Sequence, residues 1–292
     1  MKNLTQILVA IFIMAFIMSC KKDKDDLGDA SLQALHDPIL EVQFDDDPYN
    51  HNMHIASDGS YYYTVNGGNF TSGMINKYTL EGQFIDSYDI ELDFRSIMYN
   101  DADGYFYACG FESDYLGNIY KITSIENGTF QILYTDLYEY AQSSTALSLD
   151  GQYIYAFNSG TLKKYNLSDG TLVETLTGLN CGIGNYGGDG AVAVDPDYIY
   201  TWNAGTRTVY VYNHSGTLVR TMTLDYGNNG NSLSFVDGYL FVSVDADYAI
   251  GTWYGYNIRK AVNQPKSSII TKTSDLPSGD ITYRPDFDST NK

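Results

Sequence analysis

An all-β ring built from four-stranded blades, with five full blades, is the fold class this sequence predicts. Three observations carry that expectation. A Tyr recurs at Tyr78, Tyr120, Tyr165, Tyr212 and Tyr256, at spacings of 42, 45, 47 and 44 residues, and a period of that size accommodates four strands of a propeller blade. Each repeat has the same internal order: an apolar strand, an Asp or Gly turn, an aromatic-led strand, a polar loop, the Tyr-bearing strand, a tight turn, and a Thr/Val/Leu strand. Beyond the extreme N-terminus, no stretch sustains helical periodicity with caps.

The elements follow in order. Residues 1–19 form a leader in which Ile7–Met18 is an uncharged apolar run of 12 residues, too short to span a bilayer. It ends in Ile17-Met18-Ser19-Cys20, followed by Lys21-Lys22-Asp23-Lys24-Asp25-Asp26. A small residue directly before Cys at the end of such a run resembles a bacterial lipobox. The resemblance implies that Cys20 becomes the lipidated first residue, carrying palmitate-type acyl chains that bind the membrane without a transmembrane helix. Ile at position −3 departs from the commoner Leu of that motif. The charged run after Cys20 resembles the export tag of surface lipoproteins in the Bacteroidetes group, which implies an outer-membrane, surface-exposed location. Residues 20–37 read as a flexible tether, and residues 38–292 as one propeller domain.

Ile39–Phe44 is a strand that matches the fourth strands of later repeats, such as Thr171–Leu176 and Thr217–Met222. The ring is therefore expected to be entered through an outer strand. First strands are expected at Met53–Ser57, Ser96–Tyr99, Ala146–Leu149, Ala191–Val194 and Ser232–Val236. Each runs into a turn: Asp58-Gly59, Asp103-Gly104, Asp150-Gly151, Asp195-Pro196-Asp197 and Asp237-Gly238. The second strands open on Tyr61, Tyr105, Tyr153, Tyr198 and Tyr239. The aromatic stripe reads as packing between blades. Residues 279–286 resemble a further first strand, so a second closure stays open: a reduced sixth blade made from residues 39–44 and 280–285.

Tyr198–Thr221 is similar to the repeats of YVTN and NHL-type β-propellers, and Tyr153–Leu176 matches nearly as well. The resemblance covers roughly residues 39–287. It implies architecture more than activity, because such families hold binding modules, scaffolds and enzymes.

The net charge of −19 becomes −20 once Lys2 leaves with the leader. That field repels nucleic acid and anionic lipid surfaces, so no nucleic-acid partner is expected. Of the Cys residues, Cys109 and Cys181 fall in different repeats, which argues against their pairing, and Cys109 reads as a small buried apolar residue.

Loops that enter first strands, and loops that join second to third strands, share one face of a propeller, and that face is the expected ligand side. The candidates on it are His51, His54, Arg95, Tyr186, Asp189, Asn229, Asp245 and Asp247, with Arg207 a further isolated cation. Asn, Asp and Tyr there suit hydrogen bonding to hydroxyls and stacking on sugar faces. His51 and His54 stand three apart, a spacing that sends them to opposite faces of an extended strand and disfavours a shared metal. The Asp-Gly turns lie on the other face and read as structural. There is no G-x-S-x-G, H-E-x-x-H, Walker A or C-x-x-C motif. No cofactor or metal is expected. The expected function is a lipid-anchored module that binds a protein or glycan; the alternative is a propeller lyase or hydrolase using His51, His54, Arg95 and Asp189 at the channel mouth.

Overall fold

The computed structural model describes residues 34–46, 51–67, 73–111, 117–137, 145–184, 188–245, 250–259 and, for the backbone, 270–272. Cys20, Tyr186, Asp247 and the strand expected at 280–285 lie outside these residues. The chain forms five antiparallel blades in a ring, a five-bladed β-propeller, and the described residues contain no helix.

A single strand, β1 (Ile39–Asp46), precedes the first blade. The first blade is β2 (His51–Ser57), β3 (Tyr61–Gly67), β4 (Met74–Thr79) and β5 (Phe84–Asp89). The second is β6 (Phe94–Asn100), β7 (Tyr105–Gly110), β8 (Ile119–Ser124) and β9 (Thr129–Tyr134). The third is β10 (Thr145–Leu147), β11 (Tyr153–Asn158), β12 (Thr161–Asn166) and β13 (Leu172–Leu176). The fourth is β14 (Val192–Val194), β15 (Tyr198–Asn203), β16 (Thr208–Asn213) and β17 (Leu218–Thr223).

The fifth blade closes the ring. Its inner strands are β18 (Ser234–Val236), β19 (Tyr239–Val244) and β20 (Gly251–Asn257), and β1 supplies the fourth strand by pairing antiparallel with β20. A short β21 (Ile270–Lys272) then runs parallel to β1 along the outer edge. Residues 39–44 therefore complete the fifth blade, which removes the outer strand a sixth blade would need.

Each blade buries one side against the next, and the five interfaces are five separate cores. Val65 and Ile75 meet Ile97 and Ile122; Met98 and Ile119 meet Ile154 and Tyr165. Phe157 and Leu162 meet Val192 and Ile199; Trp202 and Val211 meet Val242 and Tyr256. Phe44 and Trp253 meet Ile55 and Tyr78, which joins the last blade to the first. Cys109 is buried, and among the described residues neither it nor Cys181 forms a disulfide. Where the outer two strands pair, every blade has a register shift. Such bulges add the twist a blade needs and disrupt the regular outer edge.

The register corrects one marker. Tyr78, Tyr165, Tyr212 and Tyr256 pair with Tyr62, Ile154, Ile199 and Leu240, all the second residue of their strands. In the second blade the residue at that position is Ile122, paired with Phe106, while Tyr120 pairs with Ala108 two residues earlier. Tyr120 remains on the same strand face as Ile122, so the aromatic stripe is preserved although the count slips by two.

The turn Asp residues organise the face away from the expected ligand side. Asp58, Asp103 and Asp195 each accept a main-chain N–H from the start of the following strand. Their other carboxylate oxygens accept the hydroxyls of Tyr63, Tyr107 and Tyr200 at 2.9, 2.6 and 2.6 Å. Lys77, Lys121 and Lys164 lie over the rings of Tyr61, Tyr105 and Tyr153 at 4.2, 3.8 and 3.9 Å.

Candidate functional site: the loop face over the fourth and fifth blades

Ring closure brings residues from the two ends of the chain together. His51 opens β2, and Asp245 follows β19. His51 Nδ1 lies 2.9 Å from Asp245 Oδ2, with both side chains largely buried. The Asn52 main-chain N–H donates to the same oxygen at 3.1 Å, and Asn229 Nδ2 donates to it at 3.1 Å. The Asn229 amide also donates to the Asn52 carbonyl at 2.6 Å. Asn228 Oδ1 accepts the Asp245 main-chain N–H at 2.9 Å. Of the predicted candidates, His51, Asn229 and Asp245 thus form one cluster at the seam between the fifth and first blades.

The other described candidates are held by partners of their own. His54 is buried in the channel wall rather than presented on the loop face. A register shift between Asn52 and His54 turns the strand there, and His54 Nδ1 lies 2.8 Å from the Ile97 carbonyl of the second blade. Burial lowers its pKa to about 4, so the ring is neutral and Nδ1 carries the donated hydrogen. The first strands of all five blades, His54 included, line a central cavity of about 110 Å³. Arg95 is 4% exposed and forms a two-pronged pair with Asp93, Nε to Oδ1 and Nη2 to Oδ2, each at 2.6 Å. Its guanidinium lies 4.3 Å over Phe111, and a side chain on Gly67 would strike it. Such a pair locks the crossing into the second blade. Asp189 is half-buried beside Ser159, whose N–H donates to its carbonyl at 2.7 Å. Burial raises the Asp189 carboxyl, and it raises the Cys181 thiol, with the Asp189 charge adding to the second.

Sequence reasoning missed an aromatic platform on the same face. Tyr226 lies in the loop entering the fifth blade and is 46% exposed. Its ring stacks on Tyr254, with centroids 4.6 Å apart and planes 9° from parallel. Its main chain is fixed from three sides. Its N–H donates to the Tyr256 hydroxyl at 2.8 Å. The Asp225 carbonyl accepts from Arg207 at 2.6 Å. Gly227 has φ of 114° and presses on Trp202 and Val242, where a Cβ would stand 3.0 Å from the valine.

Trp202, itself fully buried, anchors two loops at once. Its indole N–H donates to the Asn229 carbonyl at 3.1 Å, and its own carbonyl accepts Gly182 N–H at 2.9 Å. Ile183, 95% exposed, follows Gly182, and Ile250, 56% exposed, stands at the start of β20. The available signal was Asp225-Tyr226-Gly227, an aromatic held between a turn residue and a glycine.

The fold and this face define a class: a five-bladed propeller with an aromatic platform on the same loop face as a buried polar cluster around Asp245. No family model and no curated protein matches the chain. Among solved structures, it is similar to the glutaminyl cyclase of Myxococcus xanthus, at 10% identity, over 77% of this chain and 99% of that one, with a TM-score of 0.53. A chain of a nidogen/laminin complex is also similar, at 15% identity over 62% of this chain and 66% of that one, with a TM-score of 0.46. The first likeness supports the propeller fold and nothing finer.

Proposed function

We propose that this protein is a lipid-anchored, extracytoplasmic binding module of the outer membrane, which takes a glycan or protein partner on the loop face over the fourth and fifth blades. One observation carries the binding role: Tyr226 is held rigid from its main chain, backed by Tyr254, and left open to solvent. A preset aromatic surface loses little freedom on binding, and it stacks against the C–H face of a sugar or an apolar side chain. Ile183 and Ile250 are exposed apolar side chains on loops of the same face, and Arg207, bonded to the Asp225 carbonyl, is a polar neighbour of Tyr226. The anchor and location rest on the leader and Cys20.

The residues expected of a catalytic site support the same preference. Arg95 is clasped by Asp93, His54 by the Ile97 carbonyl, and His51 by Asp245, so each is engaged by a different structural partner. The test is a glycan array together with a pull-down from envelope extracts, run with wild type and Tyr226→Ala. The expected result is a ligand bound by wild type whose affinity falls about tenfold or more on losing the ring, a change of roughly 1.4 kcal/mol. Silence in both screens, or equal binding by the variant, overturns the proposal.

A further inference from the structure

The hydrogen bonding of Asp245 is one-sided. Its Oδ2 takes the bonds from His51, Asn52 N–H and Asn229, while its Oδ1 is buried with no hydrogen-bond partner. Two neighbours share this condition. Asn52 is 0% exposed, and neither its amide oxygen nor its amide nitrogen has a partner. Asn231 is 3% exposed, and its Oδ1 has none.

These residues are joined directly. Asn52 N–H reaches Asp245, Asn229 bridges Asn52 and Asp245, and the Asn231 N–H donates to Asn229 Oδ1 at 2.9 Å. The Asn52 amide lies against Gly251, where a Cβ would stand 2.4 Å from its oxygen. The glycine therefore preserves the space the amide occupies.

Buried polar atoms without partners are costly, and a carboxylate oxygen is the costliest of them. Three donors already occupy Oδ2, so the unmet demand of this carboxylate falls on Oδ1. Carboxylate and amide oxygens are the donors that hard cations take. We propose that Asp245 Oδ1, with the side-chain oxygens of Asn52 and Asn231, forms a calcium site at the seam that closes the ring. Among the described residues no group of three or more His, Cys, Asp or Glu gathers to hold a metal; this site differs in drawing on amides and a single carboxylate. A bound cation would tie the fifth blade to the first, because Asn52 belongs to β2 and Asp245 follows β19.

The test uses the full chain and terbium as the calcium probe. Trp202 donates to the Asn229 carbonyl, so an indole stands beside the cluster to sensitise terbium emission. The expected result is terbium emission that calcium displaces and magnesium does not, with saturating calcium raising Tm by about 5–10 °C. Asp245→Asn should abolish both effects, and the exposed Asp86→Asn should retain them. Should Asp245→Asn fail to fold, Asn231→Ala replaces it, with calcium affinity expected to fall at least tenfold. Emission unchanged in the cluster variant, or wild type with no calcium-dependent shift in Tm, overturns the site and leaves these atoms to water.

Discussion

Replacing Asp46 with Ala should cost the protein more than most single core substitutions, because this carboxylate ties the closing strand to both blades it joins. Asp46 ends β1 and is 1% exposed. Its Oδ1 accepts the Tyr78 hydroxyl at 2.6 Å and Asn76 Nδ2 at 2.9 Å, both in the first blade. Its Oδ2 accepts Trp253 Nε1 at 2.9 Å in the fifth blade. Alanine removes the acceptor of all three of these buried hydrogen bonds. At about 1–2 kcal/mol per stranded donor, the loss is roughly 3–6 kcal/mol. Water entering the space left by the carboxylate returns part of this, which places the expectation at about 3–4 kcal/mol, a large share of an ordinary domain's stability. For a chain of this size that corresponds to a fall in Tm on the order of 10 °C. The assay is thermal unfolding followed by near-ultraviolet circular dichroism, with Asp86→Ala as control. Asp86 accepts one N–H at the surface and should move Tm by less than about 2 °C. A matching small shift for Asp46→Ala would refute the role of this residue as the latch.

Three further outcomes are expected. His54 has a folded pKa of about 4 against an ordinary 6.5. Its contribution is whole above pH 6.5, is lost as pH falls toward about 4, and is level below that; the span is worth about 3 kcal/mol. His54→Gln should flatten that part of a urea-denaturation profile taken from pH 7 to 4, and an unchanged slope would contradict the assignment. Arg95→Ala strands Asp93 and should cost about 3–5 kcal/mol by urea denaturation, with binding per folded molecule unchanged; selective loss of binding would move Arg95 into the site. Cys20→Ala should shift the protein from the membrane to the soluble fraction and abolish acyl labelling, and continued membrane association would refute the anchor.

The repeat was legible because its signals are local. An Asp-Gly turn followed by an aromatic strand shows where each blade begins, and Tyr78, Tyr165, Tyr212 and Tyr256 occupy equivalent paired positions. Tyr120 misled by two residues because a same-face aromatic can sit at either of two alternate positions on a strand. The loop face was legible as a face, because strand direction alone sorts the loops. Its clusters were not. His51 and Asp245 are 194 residues apart, and only closure by β1 makes them neighbours. Arg95 and Asp93 lie two apart in sequence, so their pairing was open to inspection, yet an isolated cation on a ligand face drew the functional reading first. Tyr226 passed as one more Tyr among 28. What distinguishes it is the Tyr256 hydroxyl that takes its main-chain N–H and the Tyr254 ring stacked on it, and both contacts require the fold.

The most direct test of the binding face is hydrogen exchange on the ligand-loaded protein. With a ligand from the screens bound, protection should concentrate in residues 180–184, 225–231 and 250–252. The turns at Asp58-Gly59, Asp103-Gly104 and Asp195-Pro196-Asp197 should exchange as they do in the free protein. Protection confined to those turns, or to the outer strands of the blades, would place the ligand elsewhere and contradict the account.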